Sequence, residues 1–150
     1  ETPTGQSNLL NRYSGYTDAL KKYSDTTSVI FLEESLHGDK LKTARRLFTE
    51  KIITSLPDVI ITSNDLIAQG IISAAHENGI NIPNDMQITG FDDSLSSAYF
   101  IPSVTTVSQN IDELAKRCFS MLMDLINKKN AVSSIIEQNI IARNSAKVNT

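Results

Sequence analysis

Hydrophobic positions recur along the chain with two distinct periods, and the switches between them set out an alternation of helices and strands. Residues 4–23 carry Leu9, Leu10, Tyr13, Tyr16, Leu20 and Tyr23 at spacings of three and four, the stripe of an amphipathic helix, with Arg12 near its start. Residues 29–32 read as a strand. Residues 38–53 read as a second helix, with Leu41, Ala44, Leu47, Phe48 and Ile52 on one face and Arg45, Arg46, Glu50 and Lys51 on a solvated opposite face. The β-branched run Val59-Ile60-Ile61 predicts a strand buried under helices on both faces. Residues 66–78 then predict a helix and 86–88 a further strand. Asn64 is placed to cap that helix with its side-chain oxygen, Gly79 to supply the left-handed stop, and Pro83 lies just beyond. A polar and aromatic turn over 94–100 leads to the apolar run 104–107. The stripe Ile111, Leu114, Ala115, Cys118, Phe119, Leu122, Leu125 and Ile126 is the cleanest helical pattern in the chain, and residues 135–142 close it as a strand.

Strand, helix and strand at this spacing form a parallel crossover, so the expected class is α/β, with a largely parallel sheet and helices on both faces. In such sheets ligands bind at the carboxyl ends of the strands. Two polar signatures stand at those ends, Ser63-Asn64-Asp65 and Gly90-Phe91-Asp92-Asp93, which predicts that Asn64 and Asp92 converge on one rim. The adjacent carboxylates diverge along the backbone and are poorly placed to act as an acid–base pair on one atom. Asp93 reads as the cap of the turn at 94–97, leaving Asp92 as the functional candidate. A carboxylate accepts two hydrogen bonds at once, an amide gives and accepts, and a guanidinium offers a planar fork of donors, together the chemistry of a polyol or sugar reader.

Composition narrows the alternatives. The 150 residues are 40% hydrophobic, enough to bury one ordinary core, and no apolar run is long enough to span a membrane. Fourteen basic against seventeen acidic residues leave a net charge of −3, with no Lys/Arg cluster dense enough to hold DNA. The lone Cys118 falls on the apolar stripe of its helix and reads as a reduced, buried thiol. His37 has no second ligand at a metal-binding spacing, so neither a metal nor another cofactor is expected. No serine elbow, paired histidines or glycine-rich phosphate cradle appears, so no catalytic residues are assigned and an enzyme is the least favoured class.

The segment PDVIITSNDLIAQGIISAAHENGINIPNDMQITGFDDS resembles the effector-binding core of the LacI/GalR family of bacterial transcription regulators, and SVTTVSQNIDELAKRCFSMLMDLI continues the likeness. RYSGYTDAL, beginning at Arg12, and Ala142-Arg143-Asn144-Ser145 extend it toward both ends. The resemblance implies a sugar-responsive repressor in the cytoplasm, with a periplasmic-binding-protein-like core of two lobes, of which this chain supplies mainly the second. Residues 1–109 and 131–150 would belong to that lobe, and the helix of 110–130 would pack on the first, absent one. Arg12, read from residues alone as a solvated helix charge, becomes an effector contact alongside Asn64, Asp92 and Gln109. Gln69, Ile72 and Phe100 are implied as a homodimer interface, with operator DNA contacted only through an absent N-terminal domain. Leu36 and His37 stand where many members of the family place an aromatic residue against the sugar. An exported sugar-binding protein of a transporter, sharing the fold, is the alternative reading.

Overall fold

The computed structural model describes residues 7–23 and 39–147, and the chain divides into two compact units, residues 1–37 and 38–150. The expected strand at 29–32 and the loop at 33–37 lie outside the described residues. In the first unit, α1 (Ser7–Tyr23) ends with Lys21 and Lys22 in its last turn, where cations offset the negative end of the helix dipole.

The second unit begins at Asp39, whose side chain accepts from the Lys42 amide at 3.1 Å and caps α2 (Lys40–Leu47). The helical path continues through a π-helical turn, Phe48–Ile52, and a short 3-10 turn, Ile53–Ser55. β1 (Val59–Ile61), α3 (Asp65–Glu77) and β2 (Gln87–Thr89) form the predicted crossover, with β1 and β2 parallel in the register Ile60 to Ile88. β3 (Thr106–Ser108) runs alongside β2 through parallel bridges at Thr89–Thr105 and Asp92–Ser108, reinforced by Gly90 N–H to the Thr105 carbonyl at 2.8 Å. β4 (Asn139–Ile141) joins β3 antiparallel, so the closing strand departs from the parallel pattern. Of the expected strand at 135–142 only these residues reach a partner, and Ile135 is exposed. β1 also departs from expectation: Val59 and Ile61 are exposed and Ile60 half-buried, because among the described residues it pairs on one side with β2 and on neither face is it fully covered.

The core gathers Phe48 from the helical turn, Ala68, Ile71, Ile72, Ala74 and Ala75 from α3, and Met86, Ile88 and Val104 from the sheet. Helix α3 is almost apolar on every side, the mark of a helix enclosed by neighbours rather than lying on a surface. Gly70 lets α2 approach closely: a Cβ there would sit 2.6 Å from the Leu41 carbonyl oxygen. This packing corrects the expected outer placement of Gln69 and Ile72. Ile72 is 1% exposed within the core, and Gln69 is buried with its amide donating to Ser96 Oγ at 2.8 Å and Ser97 Oγ at 3.1 Å. Phe100 packs half-buried against the same cluster.

Ser145 closes the amino-terminal side of the sheet. Its hydroxyl donates to the Ile88 carbonyl and accepts from the Thr105 amide, and its own carbonyl accepts from the Ile88 amide. α5 (Ile111–Ile126) has no buried residue. Leu114 is 40% exposed, Phe119 65%, Leu122 53% and Ile126 63%, and Cys118, expected inside, is exposed with them because the stripe to which it belongs is uncovered.

Candidate effector site

Asn64 and Asp92 each stand three residues beyond Ile61 and Thr89, the last parallel pair of β1 and β2. Both therefore leave the sheet at the carboxyl ends of adjacent strands. The Asn64 side-chain oxygen accepts from the Ile67 amide at 3.0 Å and caps α3, so what this side chain can offer a ligand is its amide donor.

Asp92 is held in an unusual backbone conformation, φ 111°, followed by Asp93 at φ 54°. Two successive non-glycine residues at positive φ need surroundings that over-determine them. The Asp92 amide donates to the Val107 carbonyl at 3.0 Å, extending the β2–β3 ladder into the turn. Gln109 Nε2 donates to Asp92 Oδ1 at 2.5 Å, so the structure brings these two predicted residues together. Asp92 Oδ2 remains directed to no hydrogen-bond donor among the described residues and can accept from a ligand hydroxyl.

Asp93 does not cap the following helix, α4 (Leu95–Tyr99), as expected. Its Oδ1 instead meets Arg143 Nη2 at 2.6 Å, while Arg143 Nη1 donates to the Val104 carbonyl at 2.9 Å. Each aspartate thus holds a different segment of the chain, Asp92 the one at Gln109 that precedes α5 and Asp93 the one at Arg143 that follows β4. The residue missed from the sequence is Asp65. It is fully buried, its Oδ2 accepting from the Ser94 amide at 2.7 Å and its Oδ1 from the Thr106 hydroxyl at 2.6 Å. The available signal was an acid directly after the cap residue, in the first turn of a largely apolar helix.

Arg12 lies in the first unit, half-buried on α1. Burial raises the pKa of the Tyr16 phenol, and the positive charge of Arg12, one turn earlier, partly offsets that rise. A shallow cavity of about 340 Å³ lies between the start of α5 and residues 134–137, lined by Asn110, Glu113, Arg117 and Ser134 among others. Among the described residues there is no cluster of three metal-ligating side chains, and no helix is long and apolar enough to cross a membrane.

A parallel sheet under helices, with polar residues from adjacent strand ends gathered at one rim, is the architecture of the periplasmic-binding-protein class. Residues 2–146 match the model of the periplasmic binding protein-like domain, and the chain belongs to that family as an effector-binding core fragment of the LacI type. It is 31% identical over 129 residues to the HTH-type transcriptional repressor PurR of Erwinia tasmaniensis, a match covering 84% of this chain and 37% of the relative. Among solved structures it superposes on the periplasmic binding ribose operon repressor protein of Lactobacillus acidophilus with a TM-score of 0.81 and 26% identity, covering 97% of this chain and 53% of the other. It also superposes on a LacI family transcriptional regulator of Enterococcus faecium with bound ribose, TM-score 0.78 and 25% identity, covering 90% and 50%. The chain spans little more than a third of that curated relative and about half of each of these structures.

Replacing Arg143 with Met removes the pairing with Asp93 and the bond to the Val104 carbonyl while keeping the aliphatic stem. Loss of about 1.5–3 kcal/mol of folding stability is expected, the usual range for hydrogen bonds to charged groups. Urea denaturation of the two chains measures it, and equal midpoints and slopes would show the contact to be neutral.

Proposed function

We propose that this chain is the sensing portion of a cytoplasmic, sugar-responsive transcriptional repressor, which reaches operator DNA through a helix-turn-helix domain elsewhere in the polypeptide. The observation that carries this reading is the Asp92–Gln109 pair at the strand rim, with one carboxylate oxygen engaged by the amide and the other available to a hydroxyl. Asn64 adds a donor from the neighbouring strand end. The bound ribose of the Enterococcus faecium regulator supports a sugar or sugar derivative as the effector class. The curated relatives carry the name of a repressor, which favours a regulator over an exported transporter component. An effector bound between two lobes acts by stabilising one lobe arrangement over another, and a dimer passes that difference to its DNA-binding heads.

The uncovered stripe of α5 fits the same reading. Large apolar side chains left in water each forgo about 1.5–3 kcal/mol relative to burial, and a first lobe in the longer polypeptide is the partner that covers them. Residues 110–130 then belong energetically to that lobe, and residues 1–109 and 131–150 to the second. For the homodimer, since Gln69 and Ile72 are buried within the unit, the contact surface is assigned to exposed apolar side chains at the start of α3, Leu66, and on and after α4, Leu95, Tyr99 and Ile101. A second copy meeting this corner in a self-complementary way is the arrangement such a patch favours.

Asp92→Asn preserves size and tolerance of positive φ but exchanges one acceptor for a donor. In the longer polypeptide, a panel of sugars including D-ribose is screened by thermal shift and the binder titrated by calorimetry. The variant is expected to bind about 10- to 150-fold more weakly, as loss of one charge-assisted hydrogen bond implies, and unchanged affinity would make Asp92 structural only. Leu122→Lys tests the lobe assignment: it is expected to leave the isolated chain's stability within about 0.5 kcal/mol, as an exposed site does, yet to destabilise the longer polypeptide by about 2 kcal/mol or more. Equal effects in both would sink the assignment. Tyr99→Glu is expected to convert the dimer to a monomer in light scattering, and a dimer that persists would remove this corner from the interface.

A further inference from the structure

We propose that Asp65 is a positioning residue for the effector site: it reads no ligand itself but fixes the turn that aims the Asp92 carboxylate. The inference rests on the reading of Asp92 as the effector carboxylate. Residue 65 brackets the segment 90–94 from both sides. Its amide donates to the Phe91 carbonyl at 2.9 Å, and its Oδ2 accepts from the Ser94 amide at 2.7 Å. Its Oδ1 accepts from the Thr106 hydroxyl at 2.6 Å, and the Thr106 oxygen in turn accepts from the Asp93 amide at 3.4 Å. The carboxylate thereby turns the Thr106 hydrogen toward itself and leaves the hydroxyl's lone pairs facing Asp93. Gly90 completes the bracket, since any Cβ at that position would collide with Asp65 Oδ1.

This geometry explains how Asp92 and Asp93 persist at φ 111° and 54°. Neither conformation is favoured by an aspartate on its own, and the segment is tied immediately before Asp92, at Phe91, and immediately after it, at Asp93 and Ser94. Between these ties the Asp92 side chain meets Gln109 Nε2, which donates to its Oδ1. A carboxyl group with no exposure is costly to bury unless it finds donors, and from the start of α3 this one takes them from two other segments at once, the turn and β3.

The test is backbone hydrogen exchange and side-chain amide NMR on the full chain and on Asp65→Asn, Thr106→Val and Thr106→Ser. No effector is needed, so its failure is separate from that of the effector reading, which the Asp92→Asn titration decides. In Asp65→Asn, the Ser94 amide is expected to exchange about tenfold faster relative to the Ile88 amide, the loss one hydrogen bond of ordinary strength implies. In Thr106→Val, which keeps the shape and loses the hydroxyl, the Gln109 side-chain amide protons are expected to move toward the position of an unbonded glutamine. Thr106→Ser, which restores the hydroxyl, is expected to restore the wild-type resonance. Both results are required. Wild-type Gln109 resonances in Thr106→Val overturn the proposal. So does exchange that rises equally at Ser94 and Ile88, which is the mark of a purely structural role, and so does failure of both Asp65→Asn and Thr106→Val to fold.

Discussion

The buried carboxylate of Asp65 is the point at which helix, sheet and ligand rim are joined. A carboxylate without solvent must find donors inside the protein, and Asp65 takes one from the backbone of the turn at Ser94 and one from the hydroxyl of Thr106. That demand sets the neighbouring residues. Position 90 must lack a side chain, position 106 must carry a hydroxyl, and α3 must begin where its first residue points back under the turn. Among the described residues no buried side-chain nitrogen or oxygen lacks a partner, so the polar interior is closed around this group rather than merely tolerating it.

The aspartate pair beyond it divides its work by geometry. Because Asp92 and Asp93 both stand at positive φ, their side chains leave the chain in separate directions, one to Gln109 and the other to Arg143. These partners lie on the segment that precedes α5 and the segment that follows β4. The turn after β2 is therefore tied by charge-assisted bonds to both segments that flank the stretch from α5 to β4. Under the proposed function, a ligand that competes with Gln109 for the Asp92 carboxylate would act directly on the segment leading into α5.

Burial is distributed very unevenly between the two sides of those connections. Helix α3 has eight buried residues and is enclosed by α2 and the sheet, whereas α5, with the cleaner apolar stripe, has none. The contrast is one of available partners and not of sequence quality. A stripe of Leu, Phe and Ile states that a helix must be covered, but it does not name the surface that covers it.

Much of this architecture is legible in the residues. The crossover from Val59 to Thr89, the cap at Asn64, the stop at Gly79 and the pairing of signatures at one rim all follow from local rules, because strand period, capping chemistry and the handed parallel connection act over short stretches of chain. The pairing of Asp92 with Gln109 was approached from resemblance, and the particular hydrogen bond came only with the folded turn. What the tertiary structure alone decided was which face of α3 is inside. Gln69 and Ile72 read equally well as an outer apolar patch or as core, and the choice was made by Gly70, which admits α2 across that face, and by Ser96 and Ser97, which satisfy the Gln69 amide from 27 and 28 residues away. The same holds for Asp65. A sequence shows an acid in the first turn of a helix, where the helix dipole alone would explain it. That it is buried, and that it is bonded to the turn after β2, depends on contacts with Ser94 and Thr106 that are distant along the chain and exist only once the sheet has formed.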